Sequence, residues 1–350
     1  MALVRRIVTA ALLSTSVLLG SHPWVSRLTH ATGASATPGI AALPGYHVSV
    51  FARGTATSYK PDSIEYDGAH IWVGYQNGSD PTGANHRSST IVEYTMSGSV
   101  VKTYAVLDHC DGLRVDPATG MVWATSNEDA NPILTIINPA TGAAQVYHLG
   151  KTPHGGGYDD LAFLHGVAYI SASNPNTNAA GINTAPALGK VSINGAGVTI
   201  APVVMGNAPA KDMTTGKMTS LNMIDPDSLS LDPQGDIVQD NQGGSQLIFV
   251  HHAGTLRQTV SVLPLADQVD DTVWATAAQG RLLVVDSTHN VIYTVTTRFK
   301  PGAVYTEAPS DSSIPGVVGT LDLSSGTITP VMIGLGNPTG LAFIPGMPGM

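Results

Sequence analysis

An aspartate recurs in one short phrase along most of the chain: Asp62 in PDSIEYDG, Asp111 in CDGLRVDP, Asp159 in YDDLAFLH, Asp227 in PDSLSLDP and Asp270 in VDDTVWAT. Carboxylates repeated in one register, if the fold gathers them, form a chelating set for a hard divalent cation. Calcium takes about six to eight oxygens from carboxylates, amide carbonyls and water. Asn77, Asn127, Asn174 and Asn241, at the ends of the apolar runs that follow, and Asp286 in the fifth unit would add further oxygens. The expected metal ligands are therefore Asp62, Asp111, Asp159, Asp227 and Asp270 with Asn127, Asn174 and Asn241. His109 and His154 stand shortly before Asp111 and Asp159, and either is a candidate general base near neutral pH. A local reading competes with this one, because Asp-Gly and Asp-Ser are turn dipeptides whose side chains cap nearby backbone groups. Cys110 reads as a small buried thiol, and Trp72, Trp123 and Trp274 as core.

The phrase has a sixth copy without the acid, PTGLAFIP, with Thr339 at the anchor. The anchor intervals are 49, 48, 68, 43 and 69 residues, so the underlying unit is about 45 residues with two long insertions. Each phrase is followed by a turn and a second apolar run, such as HIWVGY, MVWATS or RLLVVD, and usually by two more β-like runs. Period-2 alternation and β-branched residues make these strands. Four short antiparallel strands per unit cannot bury both faces alone, so the sheets must stack around an axis. The expected fold is an all-β six-bladed β-propeller, with a five-bladed ring as the alternative. Residues 47–54 form a lone strand expected to pair in the blade begun at 338–345, tying the two ends of the chain together. The anchors would then share one end of the axial channel. Residues 174–187 and 206–225 would overhang that end, and 300–316 would be an insertion on the other side.

The composition agrees with a turn-rich β protein. Gly and Pro together number 61, charged residues make up 12%, and Asp outnumbers Glu 21 to 4. A net charge of −9 argues against a nucleic-acid partner, and a single cysteine excludes an intrachain disulfide. Arg5 and Arg6 precede an uncharged run at 7–20, followed by a small-x-small site at 34–36. This reads as a signal peptide over 1–36, leaving 37–350 as one exported domain, secreted or periplasmic, with no membrane span.

The stretches DGLRVDPATGMVWA from Asp111 and DSLSLDPQGDIVQDN from Asp227 resemble the SMP-30/gluconolactonase-like six-bladed propellers and the broader NHL-type repeats. That resemblance implies a divalent metal in the channel. It also implies a role for Asp111, and less directly Asp227, as ligand and base in hydrolysis of a lactone or ester. The matching Glu-Gly-Pro ligand motif of that family is replaced here by Pro61-Asp62-Ser63. Asp111 and His154 are the expected catalytic residues. The competing expectation is a non-catalytic propeller that holds a small molecule, a carbohydrate or a protein on its top loops.

Overall fold

Each copy of the phrase forms the innermost strand of a sheet. The computed structural model describes residues 39–310 and 315–346, together with the backbone of Thr29–His30. Its strands make six sheets, each built on four antiparallel strands and arranged as the blades of a propeller. Blade I runs outward through Pro61–Tyr66, Ile71–Tyr75, Ser89–Tyr94 and Val100–Val106. Blade II comprises Cys110–Val115, Val122–Ser126, Ile133–Ile137 and Ala144–His148, and blade III Leu161–Leu164, Val167–Ser171, Pro186–Asn194 and Gly197–Met205. Blade IV comprises Pro226–Leu231, Ile237–Asn241, Gln246–His251 and Thr259–Pro264. The inner strands of neighbouring blades contact one another in a closed ring, with that of blade VI against that of blade I.

Blades V and VI share their chain. Blade V begins with Thr272–Trp274, but its second strand is Val304–Ala308, followed by Gly316–Asp322 and Thr327–Leu335. The hairpin between them, Gly280–Asp286 and Val291–Thr296, crosses into blade VI. There it lies between the inner strand Pro338–Pro345 and the outer strand His47–Arg53. The expected closure by 47–54 and 338–345 is present. Two expectations are corrected. RLLVVD pairs with PTGLAFIP, not with VDDTVWAT. Residues 300–316 are not a loop, since they contain the second strand of blade V. Apolar alternation marks a strand without naming its partner, and either neighbour offers RLLVVD a complementary apolar face.

Two blades are widened at their outer edges. Pro209–Asp212 pairs in parallel with Thr259–Pro264 of blade IV and carries Met218–Ser220, so much of the 206–225 insertion is blade edge. Ala41–Ala42 and Thr29–His30 extend blade V. Apart from Thr29–His30, the expected signal segment 1–36 lies outside the described residues.

Sheet faces are buried between blades, and six apolar clusters occupy the six interfaces. Trp72 joins Leu113 and Val122 between blades I and II, and Trp274 joins Val238 and Leu263 between IV and V. Outermost strands are largely exposed, as in Val100–Val106 and Ala144–His148, while Ile71–Tyr75 is wholly buried.

The ladder between first and second strands slips at the anchor aspartates. Register shifts fall between Pro61 and Ile64, between Cys110 and Leu113, and between Pro226 and Leu229. In blade III, Ser171 bonds to both Asp159 and Asp160 through its backbone, and in blade V Glu307 does the same to Asp270 and Asp271. Two residues face one across each ladder. Such a bulge bends the strand and re-aims its side chains. At Gly112, inside one bulge, a Cβ would run into the backbone of Asp159 and Asp160 on the next blade. Gly112→Ala is therefore expected to cost about 1–3 kcal/mol in chemical denaturation, the range of core overpacking.

Candidate metal centre

The bulges turn all five anchors toward the axis. Asp62, Asp111, Asp159, Asp227 and Asp270 line one cavity of about 250 Å³ at the end of the channel where the inner strands begin. Thr339 completes the ring from blade VI, and Gln76, Glu128, Ser228 and Gln242 fill the wall between blades. Five carboxylates from five blades thus meet within one partly enclosed space.

Burial and mutual repulsion set their protonation. Asp111 and Asp159 are raised well above the usual carboxylate range, first by burial and then by the charge of Asp227. Asp62 is raised by burial and by Asp111, and Asp270 by burial and by Asp227. Asp159 and Asp227 hydrogen-bond each other, with Asp227 itself pushed up to about 7, chiefly by burial. This is the response of like charges forced together in a poorly solvated site: protons substitute for counter-ions.

Asp111 is held on one side only. Its Oδ1 accepts from Gln76 Nε2 at 3.0 Å and lies 3.3 Å from His109 Nε2, while its buried Oδ2 has no hydrogen-bond partner among the described residues. His109 Nδ1 lies 2.9 Å from the Ser79 carbonyl oxygen, an acceptor only. Nδ1 therefore donates to Ser79, and Nε2 is left facing Asp111. His109, Asp111 and Glu128 bring one ligand atom each within 4.8 Å of one another. Glu128 stands immediately after Asn127 at the end of a second strand, outside the recurring phrase, and so escaped a reading based on that phrase. As one of only four glutamates, it was nonetheless unusual enough to notice.

The asparagines do other work. Asn127 Oδ1 accepts the backbone N–H of His109, Asn241 Oδ1 that of Asp225, and Asn77 Oδ1 that of Tyr59. In blade VI, Asp286 Oδ1 accepts the N–H of Asn337 in the same way. These side chains clip the end of each second strand to the residue leading into an inner strand. Asn77, Asn127 and Asn174 have positive φ, a conformation that asparagine tolerates. Asn174 instead donates to Asp129 Oδ1. None of Asn127, Asn174 and Asn241 lines the cavity, and neither does His154. His154 is buried edge-on against Tyr158, with Nε2 2.5 Å from the Gly157 carbonyl oxygen.

The second aspartates of the doubled phrases staple blades together. Asp160 Oδ2 accepts the Leu229 N–H of blade IV at 2.9 Å and Arg114 Nη2 of blade II at 2.5 Å. Arg114 Nη2 also donates to the Leu229 carbonyl, so this guanidinium spans the channel beneath the acidic cavity. Asp271 Oδ2 accepts the Leu341 N–H of blade VI. Further acid is buried nearby. Both carboxyl oxygens of Asp240 and of Glu307 are buried without a hydrogen-bond partner among the described residues, and burial raises both groups strongly.

No family model matches this sequence, and no curated protein matches it. Solved structures of similar fold exist. A Bacteroides caccae protein of unknown function is 10% identical, with 81% of this chain and 86% of that chain covered at a TM-score of 0.48. The periplasmic gluconolactonase of Pseudomonas aeruginosa is 12% identical over 82% of this chain and 88% of its own, with a TM-score of 0.44. Virginiamycin B lyase from Staphylococcus aureus is 11% identical over 75% and 95%, with a TM-score of 0.41. A gluconolactonase and a lyase are thus among the solved structures that the chain is similar to.

The raised carboxyls give a pH dependence of definite sign. In the folded, metal-free protein Asp271 titrates at about 6 and Asp227 at about 7, against 3.8 for an ordinary aspartate. The folded chain then keeps protons that the unfolded chain releases, so this contribution to stability is complete below about pH 4 and is lost as pH rises through 6 to 7. The shift at Asp271 alone corresponds to ~3 kcal/mol. Melting temperature in chelator is expected to fall between pH 5 and 8. Added calcium is expected to flatten that fall.

Proposed function

We propose that this chain is an exported propeller that holds a divalent cation, calcium, at the acidic end of its channel and hydrolyses a lactone or ester there. The observation that carries the reading is the meeting of five anchor aspartates from five blades, joined by Glu128, in one small cavity. The donor set fits a hard cation. It is rich in carboxylate oxygen, and the buried Asp111 Oδ2 lacks a partner. Asp111 and Glu128, with His109 beside them, would hold the ion, with Asp62, Asp159, Asp227 and Asp270 completing or neutralising its surroundings. A bound cation supplies Lewis acidity that polarises an ester carbonyl.

The chain's own residues would do the rest. Gln76 fixes Asp111 through Oδ1 and leaves Oδ2 to accept a proton from water. The water oxygen bonds to the carbonyl carbon, the ester C–O bond breaks, and the departing alkoxide takes the proton back from Asp111. His109, anchored by Ser79, places Nε2 3.3 Å from Asp111 Oδ1, where an N–H on that nitrogen would steady the carboxylate. His154 has no step in this scheme, because its Nε2 is committed to Gly157 and it lies outside the cavity lining.

Elemental analysis of the purified protein is expected to find one divalent cation per chain. Asp111→Asn with Asp227→Asn should remove it. On a panel of lactones and aryl esters, Asp111→Asn alone should lower kcat/KM about 10²–10⁴-fold, the range of a lost general base. A metal-free protein whose stability ignores chelator would overturn the centre. A metal-loaded protein without turnover would leave a binding propeller. Export predicts a mature chain that starts at Thr37 on N-terminal sequencing.

A further inference from the structure

The channel has a second chamber. Where the inner strands end, on the far side of Arg114, lies a cavity of about 470 Å³ bordered by residues of all six blades. Arg114 and Asp271 border both chambers, so the guanidinium and its carboxylate partners form a waist between them. The two chambers differ in chemistry. The upper wall is carboxylate and amide, whereas Tyr66, Phe163, Trp274 and Phe343 set four aromatic side chains around the lower one.

Charge selects what such a chamber holds. Glu65, Asp67, Asp232 and Asp271 border it, and among the described residues Arg114 is its only basic one. Arg114 is already engaged by Asp160, so the balance at the lower mouth is negative. The acids also differ in what they have left to give. Asp67 accepts from Trp72 Nε1 and from two backbone amides, Asp232 from the amides of Gln234 and Asp236, and Asp271 from those of Thr272 and Leu341. The Glu65 carboxylate has no hydrogen bond among the described residues, and its nearest ionic partner is Arg114 Nε at 3.8 Å.

We propose that the lower chamber binds an organic monocation of the quaternary ammonium class. Four aromatic side chains with an acidic border suit a positive charge carried on apolar substituents. A cation without N–H groups takes its attraction from ring faces and from unpaired negative charge, and both border this chamber. The volume is that of a small-molecule site. Nothing in the hydrolytic reading requires this chamber, and the proposal stands whether or not the upper cavity holds metal.

Titration calorimetry with benzyltrimethylammonium tests it, alongside choline and the neutral 3,3-dimethyl-1-butanol, which has the shape of choline without its charge. Saturable binding of both cations is expected, with choline favoured over the alcohol by about tenfold or more. Glu65→Gln should reduce that preference, and Trp274→Leu should weaken both cations. The calcium content of the upper cavity should stay unchanged in both variants. Equal affinity for choline and the alcohol, or no saturable binding by the folded wild-type chain, would overturn the proposal. The wild-type comparison decides the matter even where a variant does not fold.

Discussion

Electrostatic repulsion among buried carboxylates is the constraint around which this propeller is organised. Bulges at the starts of its inner strands turn five aspartates into one small cavity, and burial removes the water that would screen them. Such an arrangement persists only when protons or a cation offset the charge. The raised carboxyls, and the hydrogen bond between Asp159 and Asp227, are the proton-bearing answer. The carboxylate-rich donor set is what makes the cation-bearing answer available at the same place.

Not all of the axial acids serve the cavity. In the doubled phrases at 159–160 and 270–271, the first aspartate faces the cavity, while the second accepts a backbone N–H from the inner strand of the next blade. Asp160 also fixes Arg114 across the channel, which separates an acidic chamber from an aromatic one. One bulge therefore performs two tasks, aiming one side chain at the axis and the next at a neighbouring strand. Closure adds a different kind of cohesion. Blade VI is assembled from three remote segments, and the hairpin it takes from within blade V ties both blades into one covalent loop.

Much of this was legible in the residues. The recurring phrase predicts inner strands, their number and the five aspartates, because bulge geometry is local and repeats with its dipeptide. Glu128 was not legible, since it lies outside the phrase and reaches the site only through the position of a second strand. The asparagines fitted both a ligand and a cap in sequence. Their place at strand ends, hydrogen-bonded to the backbone leading into the inner strand, is a matter of distances that no spacing in the chain records.

What the chain determined alone was local: strand content, the blade repeat, the acid at five of the six anchors and the joining of 47–54 and 338–345 in one blade. Those features follow from local propensity and from apolar faces that must be covered. Tertiary structure decided which strand RLLVVD would join, where Arg114 would cross the channel and how the axis divides into two unlike chambers. Each of these depends on contacts between residues far apart in sequence, and apolar strands of similar pattern accept more than one partner until the closing ring leaves room for only one.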